Sequence, residues 1–479
     1  SNLMKLTLSK NIALLFIIFF GIILRFYNLN YDNLWYDEII SFWVANPEYS
    51  VKESYNFHKQ IEIAPFTFNL ILRSFFQIFG YEVDFARYLP CFFSIASIFL
   101  VYKISKEIDA NNFYLLPTFL TSFNIFLIGF AQEQRVYSLL IFFTLASILF
   151  FFKCKSKNVK IFDLSIFFIF TLVLVFLHLF SLFILFSFLL YLFLIYFKNK
   201  NTFFGLNCVL LGLTLISVLF YIPYILSFST NLDLNLDVNY SWNKNPSLKF
   251  LTNFYFSNYF GSRLIGIIFL LAFIIVIFQN KKSFFELKKP FLFFIIIVTS
   301  YLIPILFGFL FKPILLSRYI SYVPVLVILL ISSLLLNSKN KKFKIFFSTI
   351  LIIATIGNMF TEEAFKQFVT KRIPSKPQYV EAIKYINNSN ENVYTLKVEK
   401  MKNNEATIKS INNYIDHLST KHNLQLNFVS LNKVAEQSIW IFCPMDINDK
   451  SCPVPEQLKE FRILEEKYFN SINLKLIKK

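Results

Sequence analysis

The stretch NLWYDEIISFW, residues 33–43, follows an apolar run of membrane-spanning length and sets Asp37 beside Glu38 between Trp35 and Trp43. A carboxylate placed there can take a proton from a hydroxyl, or it can cap the short helix that EIISFWVAN would form, because acidic groups are stabilised at a helix N-terminus. The arginines raise a matching question. Lysine supplies nearly all the positive charge, and the only arginines are Arg25, Arg73, Arg87, Arg135, Arg263, Arg318, Arg372 and Arg462. The first six fall at the ends of apolar runs or in the first long loop. A guanidinium offers a planar fork of donors that grips phosphate or carboxylate through two bonds, which an ammonium does not. Any one of them could equally pair with a neighbouring carboxylate or anchor a helix at the headgroups. Together with the carboxylates they predict a phosphate-handling cleft at a membrane–water boundary.

The elements that must position these residues follow from composition. A chain of 479 residues that is 56% hydrophobic and 20% aromatic, with mean hydropathy +0.56, lies outside the soluble range and reads as a mainly α, polytopic membrane protein. The 65 Phe among many Lys, Asn and Ile fit an A/T-rich genome and mark no aromatic binding box. A net charge of +18 would suggest nucleic acid in a soluble protein, but here the lysines sit in clusters between apolar runs. A nucleic-acid partner is therefore not expected. A span needs about 20 residues, and about eleven transmembrane helices are predicted at 9–27, 85–104, 113–131, 137–152, 161–178, 180–197, 203–226, 263–279, 290–310, 319–336 and 343–360. Lysine clusters occupy every second connection and the N-terminus, so those face the cytoplasm. Loops 28–84 and 227–262 and everything after 360 then lie on the other side, giving a membrane domain over 1–360 and an extracytoplasmic tail over 361–479. Met4 reads as the natural start, with Ser1-Asn2-Leu3 an appended remnant, and the first run as a retained span because it lacks a cleavage site. Within the first loop, residues 65–80 are apolar but too short to span and contain Arg73, which predicts an interfacial helix.

The tail alternates helix-like QYVEAIKYINN and INNYIDHLSTKH with strand-like NVYTLKV, LQLNFV and SIWIFC, a small α/β domain. Cys443 and Cys452 bracket a short turn there and form an expected disulfide in an oxidising compartment. No Cys/His spacing suggests zinc, and His417 and His422 read as solvent-exposed on a polar helix.

LRFYNLNYDNLWYDE after the first span, APFTFNLILRSFFQIFG in the loop, FARYLP opening the second span, AQEQRVYSL between the third and fourth, HLF ending the fifth and SRYISYVP opening the tenth resemble, in this order, the GT-C superfamily. Within it the pattern is similar to polyprenyl-phosphate-sugar-dependent enzymes such as lipid A aminoarabinose transferases and protein O-mannosyltransferases. The resemblance covers about residues 1–360. It implies a glycosyltransferase, of hexosyl or pentosyl type, acting on the periplasmic face of a bacterial inner membrane. A sugar would pass from polyprenyl phosphate to a hydroxyl on a glycolipid, glycan or protein, with inversion at C1. Asp37 is then the catalytic carboxylate and Glu38 a second candidate. Arg135 and Arg318 would hold the lipid phosphate, with Glu133, Tyr137, His178, Tyr319, Glu62 and Arg263 as further substrate-binding candidates. Many members carry His-Pro-Pro where this chain has Ile63-Ala64-Pro65, so a divalent cation, which the family allows, has no support here; Glu62 and His58 are the nearest substitutes. No other cofactor is expected, since the chain has only nine glycines and no phosphate loop. The loop NYSWNKNPSLKFLTNFYFSNYFGSR is amphipathic and is expected to act as a lid over a cleft open to lipid. A transporter or flippase of lipid-linked sugars would also need arginines near phosphate, but its repeat symmetry and midplane charges are not visible. A sensor anchored by so many spans would waste its outer-face residues, and an oligosaccharide polymerase or ligase is the alternative within the enzyme class.

Overall fold

The computed structural model describes the chain apart from residues 1, 63, 109–113, 156–158, 201–202, 232–247, 285, 287, 312, 361–375, 389–391, 396–403, 428–437, 445–451, 453 and 455. Most of the expected lid, part of the LQLNFV segment and Arg372 lie outside the described residues. In chain order the helices are α1 (Asn2–Phe26), α2 (Tyr36–Val44), α3 (Val51–Ile61), α4 (Thr67–Phe79), α5 (Tyr88–Ile108), α6 (Leu115–Ser122), α7 (Ile125–Ala131), α8 (Tyr137–Cys154), α9 (Ile161–Leu177) and α10 (Ser181–Asn199). They continue with α11 (Phe204–Asn231), α12 (Leu248–Leu251), α13 (Phe256–Phe260), α14 (Arg263–Gln279), α15 (Lys281–Phe284), α16 (Lys289–Leu310), α17 (Val323–Asn337), α18 (Lys341–Met359), α19 (Tyr379–Asn387) and α20 (Asn404–Lys421). The chain divides into two compact units: Ser1–Tyr27, Pro90–Gln132 and Val136–Phe368 form one, and Asn28–Leu89, Glu133–Arg135 and Val369–Lys479 form the other.

The first unit is helical. Among the described residues six helices are long and apolar enough to cross a membrane: Val83–Ile108, Tyr137–Cys154, Ser181–Lys198, Phe204–Ile222, Lys289–Leu310 and Lys341–Met359. Shorter apolar helices cover Ile161–Leu177, Arg263–Gln279 and Val323–Leu335. The span expected at 113–131 is instead broken into α6 and α7. The cause is local. Asn124 caps α7 by accepting from the Leu127 amide at 3.0 Å, while Arg25, fully buried, donates to the carbonyls of Ser122 at 3.0 Å and Thr121 at 3.3 Å. Those carbonyls end α6 with a side chain as partner where a continuous helix would use its own amides. Gln132 closes the C-terminus of α1 in the same way, donating to the carbonyl of Tyr27 at 2.8 Å.

The second unit joins the first long loop to the tail. Its four-stranded sheet has β1 (Asn392–Thr395), β2 (Ile439–Pro444), β3 (Arg462–Phe469) and β4 (Ile472–Lys478) in the order β1-β2-β4-β3, with β1 parallel to β2 and the other pairs antiparallel. The hairpin β3–β4 was not anticipated; Asn470 and Ser471 make its two-residue turn, with Ser471 at φ 56° in the left-handed region. Ile439, Ile441, Cys443, Cys452, Leu458 and Ile477 form the core on one face of the sheet. Cys443 and Cys452 are bonded, their Cα atoms 6.0 Å apart. Without reductant neither should be alkylated in the denatured chain, and Cys452→Ser should cost the tail about 2–3 kcal/mol in chemical unfolding; full alkylation of both would contradict the bond.

In the same unit α20 lies on α2. Phe42 stacks on Tyr81 with ring centroids 4.3 Å apart, and Tyr414 and His417 meet Phe42 edge-on at 6.5 and 5.3 Å. His417 is therefore half-buried among aromatic rings, not solvent-exposed as expected, and burial lowers its pKa. Helix α4, expected along the membrane surface, buries Phe68, Leu72, Phe75 and Phe76 and leaves Ile78 and Phe79 exposed.

Candidate active site

The acidic turn is the start of α2. Trp35 is extended, and its amide donates to Glu38 Oε2 at 3.2 Å, so Glu38 folds back on the helix N-terminus and both acidic residues lie in the first turn. Their surroundings differ. Glu38 is fully buried, whereas Asp37 is only half-buried. Arg87 grips Glu38 through two bonds, Nε to Oε1 at 2.9 Å and Nη2 to Oε2 at 3.0 Å. The amide of Gln134 donates to Oε1 at 2.8 Å, and Lys376 Nζ approaches Oε2 at 2.7 Å. The remaining donors of Arg87 go to the carbonyls of Leu29, Asp32 and Asn33 at 2.8–3.0 Å. Burial would push the Glu38 carboxyl up, but Arg87 and Lys376 outweigh it and hold the group well below the usual carboxylate range.

A second ion pair braces the other side of the turn. Arg135 Nη1 donates to Glu62 Oε1 at 2.5 Å, to Ser41 Oγ at 2.8 Å and to the carbonyl of Asp37 at 3.1 Å. Glu62 faces His58 Nδ1 at 3.5 Å, while His58 Nε2 meets the carbonyl of Ala64 at 2.6 Å. Burial raises the Glu62 carboxyl and Arg135 and His58 bring it down, to about 2. Glu133 stands in the opposite condition. Burial pushes it up to about 6, with Glu38 and Asp37 adding to the rise and Lys376 and Arg135 opposing it. Between them, the loop and the tail assemble two ion-paired carboxylates, Glu38 and Glu62, one carboxyl of raised pKa, Glu133, and a half-buried Asp37.

In the first unit a separate group forms around the 3-10 turn Ser317–Ile320. The Arg318 guanidinium lies 5.6 Å over the Tyr319 ring, and that ring packs against His178 at 5.1 Å and Phe180 at 5.3 Å. His178 ends α9, and its Nδ1 accepts from the Phe180 amide at 3.2 Å. Tyr259 donates to the carbonyl of Ser317 at 3.2 Å and holds the turn. Arg263 opens α14 and is exposed, while Tyr137 is buried against Phe130 at 4.8 Å.

The arginines divide in a way their positions did not reveal. Arg25, Arg73 and Arg87, grouped in the sequence with the phosphate-handling set, are each saturated by protein oxygens. Arg73 binds the carbonyls of Asn46, Pro47 and Tyr49 and the hydroxyl of Ser54. Lys376 and the amide of Gln134 were missed. Lys376 sits in a mixed polar segment 338 positions from Glu38, a separation at which no local pattern could flag it. Among the described residues no group of three or more His, Cys, Asp or Glu side chains could hold a metal ion.

The fold is similar to that of two solved proteins, ArnT and an archaeal oligosaccharyltransferase. It matches ArnT from Cupriavidus metallidurans in the apo state with TM-score 0.56 at 10% identity, covering 100% of this chain and 98% of that one. The same protein bound to undecaprenyl phosphate matches with TM-score 0.53 at 9% identity, over 97% of each chain. The archaeal oligosaccharyltransferase AglB from Archaeoglobus fulgidus, in complex with an inhibitory peptide and a dolichol-phosphate, matches with TM-score 0.55 at 9% identity, over 91% of this chain and 69% of its own. No family model matches the sequence, and no curated protein matches it.

Proposed function

We propose that this chain is an integral-membrane glycosyltransferase that moves a sugar from a polyprenyl-phosphate donor to an acceptor hydroxyl, inverting at C1. In this reading the chain crosses a bacterial inner membrane about eleven times, with the acidic turn and the tail on the periplasmic face. The observation that carries it is the likeness in fold to ArnT along nearly the whole of both chains. That protein has been seen with undecaprenyl phosphate, and AglB with dolichol-phosphate, so the donor proposed here is a lipid phosphate as well. An oligosaccharide as cargo is the second reading, favoured by the AglB likeness; the fuller coverage of ArnT, 98% against 69%, supports the single sugar.

The chemistry asks for two things. Asp37 takes the acceptor proton while the acceptor oxygen bonds to C1; the C1–O bond to phosphate breaks, and the lipid phosphate leaves with its electron pair. Glu38, saturated by five donors, is assigned to holding the turn, and Arg135 with Glu62 to the same task from the other side. Phosphate binding is assigned to Arg318, oriented by Tyr319 and His178, with exposed Arg263 as a further candidate. Glu133 is read as a substrate-facing carboxyl and Tyr137 as packing behind the start of α8.

Mass spectrometry of envelope glycolipids and glycoproteins from cells with and without the gene tests the function. A sugar missing from one class of molecule is expected, and it names donor and acceptor together; identical profiles would sink the reading. Arg318→Lys keeps the charge but loses the fork. It should lower kcat/KM roughly 10- to 100-fold, the worth of one hydrogen bond to a charged group, mainly through donor KM. A variant that handles donor like the parent would remove Arg318 from phosphate binding.

A further inference from the structure

We propose that Lys376 is a positioning residue of the transfer reaction, through which the tail fixes Glu38 and the first turn of α2 that carries Asp37. The inference rests on the function proposed above and adds to it a role for the tail.

The geometry forms a continuous chain of contacts within the second unit. The carbonyl of Lys376 accepts from Asn470 Nδ2 at 3.0 Å, at the turn between β3 and β4. Two residues on, Gln378 exchanges bonds with the same asparagine, its amide donating to the Asn470 carbonyl at 3.1 Å and its Oε1 accepting from the Asn470 amide at 2.9 Å. The backbone of Lys376 is thus pinned to the sheet. Its ammonium ends 2.7 Å from Glu38 Oε2, and Glu38 accepts the Trp35 amide that opens α2.

Lys376 is surplus to the charge balance of Glu38. Arg87 already meets both oxygens of that carboxylate, so the trio carries a net positive charge that faces the remaining acids. The ionisable groups around it are Glu38 on α2, Arg87 at the start of α5, and Glu133 with Arg135 and Asp37 beyond it. Its charge opposes the forces that keep Glu133 protonated, so removing it must let Glu133 hold its proton to higher pH. Three further contacts join the same partners: Tyr414 Oη accepts from the Leu34 amide at 2.9 Å, Tyr36 Oη and Thr407 Oγ1 lie 3.0 Å apart, and Ala406 packs with Ile40, Trp43 and Val44. The tail therefore grips α2 at its first turn and along one side.

The test compares full-length Lys376→Met and Lys376→Arg with the parent by hydrogen exchange and by the pH dependence of transfer. For the methionine variant we expect faster exchange confined to residues 36–40. We also expect kcat about 10- to 100-fold lower with donor KM unchanged, as for a small misplacement of a reacting group, and an acidic limb moved to higher pH. Arginine should restore most of all three. Unchanged exchange at α2 in the methionine variant would overturn the proposal whatever the activity, and so would loss of protection spread evenly over the tail. A parent chain that transfers no sugar would count against the proposed function alone, because the exchange measurement still decides the role of Lys376.

Discussion

Asp37→Asn is expected to leave a folded chain that still binds the donor lipid and transfers sugar about two to four orders of magnitude more slowly, the range for losing a general base. The variant separates the two uses of an acid at the start of α2. Asp37 is the second residue of α2, where asparagine gives up only the charge–dipole stabilisation, about 0.3–1 kcal/mol, and Arg135 reaches this residue through its backbone carbonyl, which the substitution keeps. Stability should therefore change little while proton acceptance is abolished. Near-normal transfer would leave Asp37 with its charge at the helix N-terminus alone, and Glu133 would become the next carboxylate to examine.

Glu38→Ala should fail in the opposite way, losing stability first. Removing one member of a buried ion pair strands its partner, at a cost of roughly 3–5 kcal/mol, and here both Arg87 and Lys376 lose their anion. Thermal unfolding in detergent would report the loss, and a variant as stable as the parent would show that water replaces the carboxylate. The pH dependence follows in sign. The folded-state value is about 2 against an ordinary 4.5, because the two cations outweigh the effect of burial. The stabilisation is thus complete above about pH 4.5 and fades as pH falls towards 2.

Much of this architecture could be read from the chain alone, and the reasons differ by element. Apolar runs and lysine clusters are strong, local signals, and α5, α8, α9, α10, α14, α16 and α18 begin and end within a few residues of the expected spans. The break within the span expected at 113–131 was not legible, because it depends on Arg25, about a hundred positions upstream, capping carbonyls that hydropathy cannot see. The acidic turn was visible as a motif, but the sorting of its two carboxylates was not. Asp37 and Glu38 are neighbours with the same chemistry, and only the arrival of Arg87, Gln134 and Lys376 makes one of them a buried hub. The arginines teach the same lesson in reverse. Their rarity correctly marked them as placed for geometry, yet for Arg25, Arg73 and Arg87 the geometry served is the protein's own backbone.

The three-part make-up of the second unit has a consequence for biosynthesis. Its loop emerges from the ribosome just after the first helix, but the Tyr414 hydroxyl that meets the Leu34 amide is translated 380 residues later. At about 5–20 residues per second that is a wait on the order of 20–80 s. From the synthesis of Arg87 until that of Lys376, α2 has Arg87 to hold its buried glutamate but neither Lys376 nor α20 to cover it. A nascent chain stalled before residue 376 should therefore expose the aromatic face of α2, including Phe42, to proteases and chaperones of the compartment it enters. Maturation of the acidic turn is then a late event, which waits for Lys376 and α20 and does not follow from synthesis of the first helices.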